Sequence, residues 1–210
     1  MAMGRPERVL AASTFLLAIT IYSPILVFFY QGRGLSLFQI LSLEAVTGLA
    51  QVLFEVPTGV LGDRLGVKRT VVAGHVLQAV WIVVLMAAGS YPVFLAGYVV
   101  LGLALALRSG ATEAWLFELL RRGGREGQMI KAQGVQWGAA LIGRVTSALL
   151  ATVVVRQMTD HWFLVALGAS AACFVASSVL LAFVPGVGTA TTEDAPPAAD
   201  LVKTGLRLLR

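Results

Sequence analysis

Six stretches of about 20 mostly apolar residues, joined by short polar connections, constrain this chain more than any other feature. An α-helix rises 1.5 Å per residue, so about 20 residues cross a hydrocarbon layer roughly 30 Å thick while satisfying their own backbone polar groups. The stretches run Val9–Tyr30, Leu37–Leu61, Thr70–Gly89, Val93–Leu119, Gln133–Val155 and Trp162–Val184. Composition agrees, since 58% of the 210 residues are apolar and 13% are charged, against about 45–50% and 25% in a soluble domain. This excludes a disordered tail and a nucleic-acid module. It predicts an all-α polytopic membrane protein with six transmembrane helices and the lipid bilayer as its solvent. The first stretch exceeds a signal-peptide core in length and is read as retained.

Basic residues set the orientation, because positive loops resist translocation. Twelve gather on one side: Arg5, Arg8, Arg64, Lys68, Arg69, Arg121, Arg122, Arg125, Lys131, Lys203, Arg207 and Arg210. Arg33 and Arg156 fall on the other, and Arg108 and Arg144 fall within spans. The expected placement is a multi-pass protein of the cell membrane with both termini cytoplasmic. Residues 1–185 form the bundle. Residues 186–210 read as a cytoplasmic linker followed by a short basic amphipathic segment, in which Val202, Leu206 and Leu209 share one helical face and Lys203, Arg207 and Arg210 another. The single cysteine, Cys173, leaves no disulfide within the chain and no zinc-spaced set, and neither a metal nor a cofactor is expected.

The most specific local pattern follows the second span, in the run Gly59-Val-Leu-Gly-Asp-Arg-Leu-Gly-Val-Lys-Arg69, where Gly59, Asp63, Arg64, Gly66, Lys68 and Arg69 stand at fixed intervals. Its glycines permit positive φ and close passage beneath neighbouring helices, and Asp63 can pair locally or face a helix N-terminus. This run resembles the loop 2–3 signature of the major facilitator superfamily. The run Glu55-Val-Pro-Thr-Gly59 and the span-four run from Ser109 to Glu118 resemble branches of the same family.

The resemblance implies a half bundle of two inverted three-span repeats, in a machine whose twelve spans normally form two such halves around a midplane cavity. It implies that the motif latches the halves in one conformation, and that the partner is a second six-helix half, in trans or as a second copy. The implied function is secondary transport of a small solute by alternating access, with drug-like efflux and proton coupling as its narrower forms. Two departures bear on substrate: span five has no glycine-proline signature, and Arg108 is followed directly by Ser109-Gly110. The alternative is a non-transporting half or assembly partner.

Polar groups at membrane depth are costly, about 2.5–3.5 kcal/mol each on insertion scales, and usually face an interior or a wet cavity. Glu44, Gly48, Gln51 and Glu55 fall on one face of span two. Arg108 and Glu113 lie in span four and Arg144 near the centre of span five, so opposite charges sit at comparable depths. Either these groups form a fixed ion-pair network, or Glu44 or Glu113 exchanges a proton while Arg144 or Arg108 biases it or contacts an anionic group. Tyr22, beside Pro24 in span one, is a further cavity candidate, because proline removes a backbone donor and permits a bend. His75 and Gln78 share a face of span three and read as packing residues.

Small residues predict where helix backbones meet. Gly102, Ala106, Gly110 and Ala114 recur in span four, and Ala139, Gly143, Ser147 and Ala151 in span five; Gly134 and Gly138 are read the same way, with a dimerisation face as the alternative. An intramembrane serine protease is rejected, since Leu107 precedes Arg108-Ser109 where the nucleophile motif needs glycine and span six has no histidine. No catalytic residues are assigned and the chain is not expected to be an enzyme.

Overall fold

The computed structural model describes residues 4–154 and 159–186. Arg156 and the amphipathic segment after Asp200 lie outside the described residues. The helices are α1 (Arg5–Leu17), α2 (Leu26–Gly32), α3 (Leu37–Leu65), α4 (Val67–Ala87), α5 (Tyr91–Arg108), α6 (Ala111–Arg122), α7 (Met129–Val154) and α8 (Asp160–Ala182). Short 3-10 turns at Ser23–Ile25 and Glu126–Gln128 precede α2 and α7. The described residues contain no strand.

Among the described residues five segments are long and apolar enough to cross a membrane: Leu37–Leu65, Val67–Ala87, Tyr91–Arg122, Glu126–Val154 and Asp160–Ala182. Between 17% and 44% of each apolar window is buried inside the protein. Apolar surface exposed on that scale needs lipid or another apolar partner as its solvent. The chain is a multi-pass membrane protein.

The first expected span is not one helix. It divides into α1 and α2 around a turn that includes Pro24, which cannot donate to the helical ladder. The turn's freed Ile21 N–H donates to the Ser170 hydroxyl of α8 at 2.9 Å, a protein partner of the kind non-helical backbone needs at membrane depth. The expected fourth span is likewise interrupted, because Gly110 takes φ +69° between α5 and α6. Gly110 is therefore a hinge in the backbone and not a member of a packing stripe.

Packing is pairwise and close. The first span's α1 lies against α7 and α8, α5 lies against α3 and α4, and α4 also lies against α8. A Cβ on Gly102 would stand 2.5 Å from Ala50 Cβ and 2.8 Å from the Thr47 carbonyl oxygen. A Cβ on Gly143 would stand 2.6 Å from the Phe15 carbonyl oxygen. These glycines allow the α5–α3 and α7–α1 backbones to touch, where lipid supplies little drive for association. Gly134 and Gly138 differ from expectation: a Cβ on either meets nothing within 4 Å, so they pack against no other helix here.

Toward the α1–α2 turn the core is aromatic, with Tyr22, Phe29, Tyr30, Trp81, Phe94, Tyr98 and Phe163 packed edge to face and the Tyr30 and Tyr98 hydroxyls hydrogen-bonded. Such pairs add about 0.5–1.5 kcal/mol each beyond area burial. The opposite, basic end holds a smaller cluster of Leu10, Val71, Trp115, Leu116, Leu120 and Leu181.

Candidate functional site

A cavity of about 420 Å³ opens between α1, the α5–α6 break and α7, with α3 and α4 contributing its sides. Each helix supplies polar side chains by its own periodicity. Thr14 comes from α1, Gln51 from α3, His75 from α4, Arg108 from the last turn of α5, Glu113 from the first turn of α6, and Gln133, Gln136 and Trp137 from α7. The break at Ser109-Gly110 aims both ends of the interrupted helix at the cavity, so Arg108 and Glu113 reach it from two different helices.

Two stripes extend from it. Glu44, Gln51 and Glu55 occupy one face of α3 by helical spacing, and Gln51 lines the cavity. Gln133, Trp137, Ala140 and Arg144 follow the same i, i+4, i+7, i+11 spacing on α7, and the first three line it. Arg144 and Glu44 are exposed toward the far ends of these stripes. Gln51, Arg108 and Glu113 are thus brought together. Glu55 adjoins them through Ser109, Glu44 and Arg144 lie farther along their stripes with Glu44 toward the Tyr98 side, and Tyr22 does not line the cavity: it is 7% exposed and stands edge-on to Trp81 in the aromatic core.

The ionisable groups at depth do not form an ion-pair network with one another among the described residues. Arg108 donates through Nη1 to Gln78 Oε1 at 2.6 Å. Glu55 Oε1 accepts the Ser109 hydroxyl at 3.0 Å. The ion pairs are elsewhere, joining Arg33 to Asp160, Arg121 and Arg122 to Glu118, and Arg125 to Glu7. His75 is buried and its Nδ1 meets the Ser177 hydroxyl at 3.0 Å, while that hydroxyl donates to the Ser13 carbonyl at 2.8 Å, a link that ties α4, α8 and α1 together.

Two of the cavity's polar atoms have no partner among the described residues: Arg108 Nε and Gln136 Nε2. Gln136 and Thr14 escaped sequence reading, because uncharged polar residues at span ends carry no depth penalty large enough to mark them. Their i, i+3 and i, i+4 spacing with Gln133 and Leu10 was the available signal.

The Asp63 motif is mostly helical and not a loop. Gly59, Asp63 and Arg64 belong to the last turns of α3, and Gly66 alone, at φ +86°, separates α3 from α4. Asp63, Arg64 and Arg69 are exposed and make no ion pair among the described residues. Lys68 is committed: its Nζ donates to the Ala182 and Val184 carbonyl oxygens at 2.9 and 2.6 Å, capping the end of α8.

Among known proteins, the chain is similar to the uncharacterized MFS-type transporter YxaM of Bacillus subtilis (strain 168), at 25% identity over 134 residues. That alignment covers 64% of this chain and 34% of the relative, so the chain spans about a third of the relative's length. The profile of the Major Facilitator Superfamily matches residues 9–210. With that match running through every described span from α2 to α8 and most of α1, the chain belongs to the Major Facilitator Superfamily of membrane transporters.

Proposed function

We propose that this chain is a six-span half of a secondary transporter, which carries a small solute by rocking against a second six-span unit around the cavity at Arg108, Glu113 and Gln136. The observation that carries the reading is the cavity itself. Six helices converge polar side chains on about 420 Å³, among them the charged Arg108, whose place within a span is costly unless a wet path uses it. The α1–α2 pair supplies the sixth crossing, its turn held by Ser170.

The helix pairings support an inverted three-span repeat. Exchanging spans one, two and three for four, five and six turns the α1–α7 contact into α5–α3 and the α1–α8 contact into α5–α4, and leaves α4–α8 in place. The two spans least buried in the half are Leu37–Leu65 and Glu126–Val154, at 22% and 17% of their windows, and they flank the cavity. A second unit, in trans or as a second copy, fits against them. The basic residues Arg64, Lys68, Arg69, Arg121, Arg122 and Arg125 share one end of the bundle, which supports a cytoplasmic placement of that end in the cell membrane.

Proton coupling through Glu113 or Glu44, and the solute's direction of travel, belong to the same proposal. The test is flux. The chain is reconstituted into proteoliposomes alone and with a co-expressed second half, under an imposed pH gradient, and crosslinked through single cysteines on α3 and α7. Gradient-driven uptake or release that depends on the second unit supports the reading. Crosslinking without flux under any gradient favours an assembly partner that does not transport.

A further inference from the structure

We propose that the cavity receives the carboxylate of a small organic anion, with Arg108 and the Gln136 amide as its donors. The assignment rests on the carrier reading for its biological use, but binding itself does not require transport.

Arg108 differs from the chain's structural arginine. Arg125, 20% exposed at its side chain, spends both Nη atoms on the Glu7 carboxylate. Among the described residues Arg108 has one neutral acceptor, Gln78 Oε1, no carboxylate within 4.0 Å, and an unpartnered buried Nε. Glu113 acts on this charge only from beyond ion-pair distance, so the guanidinium has no direct anionic partner among the described residues, an arrangement that a bound anion completes.

Gln136 makes the same demand from α7, in the lining of the same cavity. It is 7% exposed and its Nε2 has no partner among the described residues. Its orientation is set by Thr14, whose one hydroxyl hydrogen has Gln136 Oε1 at 2.6 Å and the Leu10 carbonyl at 3.0 Å. The contact to Gln136 is the shorter, and the Leu10 carbonyl already accepts the Ser13 hydroxyl at 2.8 Å besides its place in the α1 ladder, so the Thr14 hydrogen goes to Gln136 and the amide nitrogen is left as a donor. Two unpaired donors on residues that line one cavity call for an acceptor, and the charge of one calls for an anion.

The rest of the lining decides the body of the ligand. Leu10, Leu17, Leu105, Leu116 and the Trp137 ring give apolar walls, which suit an aromatic or aliphatic group better than an inorganic ion. Glu113 is the one carboxylate among the described lining residues; it is exposed and repels an anion from the rim. His75 faces the cavity with its Nδ1 committed to Ser177.

The probe is radiolabelled benzoate, measured by scintillation proximity on the full chain in nanodiscs. Saturable benzoate binding is expected, with benzamide at least tenfold weaker and inorganic phosphate unable to displace it. Arg108→Gln should weaken benzoate about tenfold or more, Gln136→Leu several-fold, and Glu113→Gln should strengthen it. Should Arg108→Gln fail to fold, Gln136→Leu and Glu113→Gln carry the test through their opposite signs. Equal affinity for benzamide, displacement by phosphate at the benzoate concentration, or indifference to both Arg108→Gln and Gln136→Leu overturns the assignment. Absence of saturable benzoate binding also overturns it, and leaves the carrier reading to stand or fall on the flux experiment.

Discussion

The Glu7 carboxylate and the Arg125 guanidinium meet as a two-pronged ion pair that ties the first turn of α1 to the connection between α6 and α7. Glu7 is 1% exposed and its Oε2 also accepts the N-cap Gly4 N–H at 2.7 Å, satisfying a free donor at the head of α1. At the same end Lys68 holds the end of α8, and Trp115 Nε1 donates to the Pro185 carbonyl at 3.1 Å. The basic end is thus strapped across four chain segments, whereas the cavity beside it keeps unpaired donors.

Glu7→Gln is expected to destabilise the bundle by on the order of 3 kcal/mol, because it leaves the Arg125 charge without its partner and weakens the α1 cap. The double variant Glu7→Gln with Arg125→Gln should cost less than the two single changes summed, since both act on one pair. Thermal unfolding in detergent, followed by the accessibility of Cys173, reads the cycle. Additive losses would show that the two residues do not act as a unit.

Lys68→Met is expected to fray the end of α8. The Ala182 and Val184 carbonyls lose their donor, and amide hydrogen exchange should rise over Leu180–Val184 with little change in α3. Protection that stays at the wild-type level in this segment would remove the strap.

Gly102→Ala and Gly143→Ala should each cost about 1–3 kcal/mol, because the new Cβ falls within 2.6 Å of a neighbouring helix and the backbones must part. Gly134→Ala and Gly138→Ala should instead be neutral or stabilising by up to about 1 kcal/mol, as alanine is the better helix former and the space is open. Detergent melting of the four variants checks the contrast; a loss at Gly138 matching that at Gly102 would contradict it.

These glycines mark how far the sequence could be read. Hydropathy finds apolar runs but is blind to breaks within them. The runs Val9–Tyr30 and Val93–Leu119 are continuous in composition, yet Pro24 and the positive φ of Gly110 divide them. Conversely α3 continues four residues past the apolar run, to Leu65, because Asp63 and Arg64 are good enough in a last turn and only Gly66 stops it. At the site, charge at depth revealed Arg108 and Glu113. Periodicity revealed the α3 stripe, but no rule of sequence joins Thr14 to Gln136 across 122 residues, or Glu7 to Arg125 across 118.

Asp63→Asn separates the latch role from a structural one. Asp63 is exposed in the last turn of α3 and has no ion pair among the described residues, so its removal should leave the melting temperature of this chain within the range of an ordinary surface change, about 0.5 kcal/mol. If the motif holds two halves in one conformation, the partner of Asp63 lies on the second unit, and the substitution should lower flux several-fold in an assembled carrier while membrane insertion and crosslinking yield stay unchanged. Arg64→Gln should follow the same pattern, whereas Lys68→Met should not, because Lys68 is already engaged within its own half. Wild-type flux in the Asp63 variant would remove the latch, and a large loss of melting temperature in the isolated chain would place its role inside this bundle.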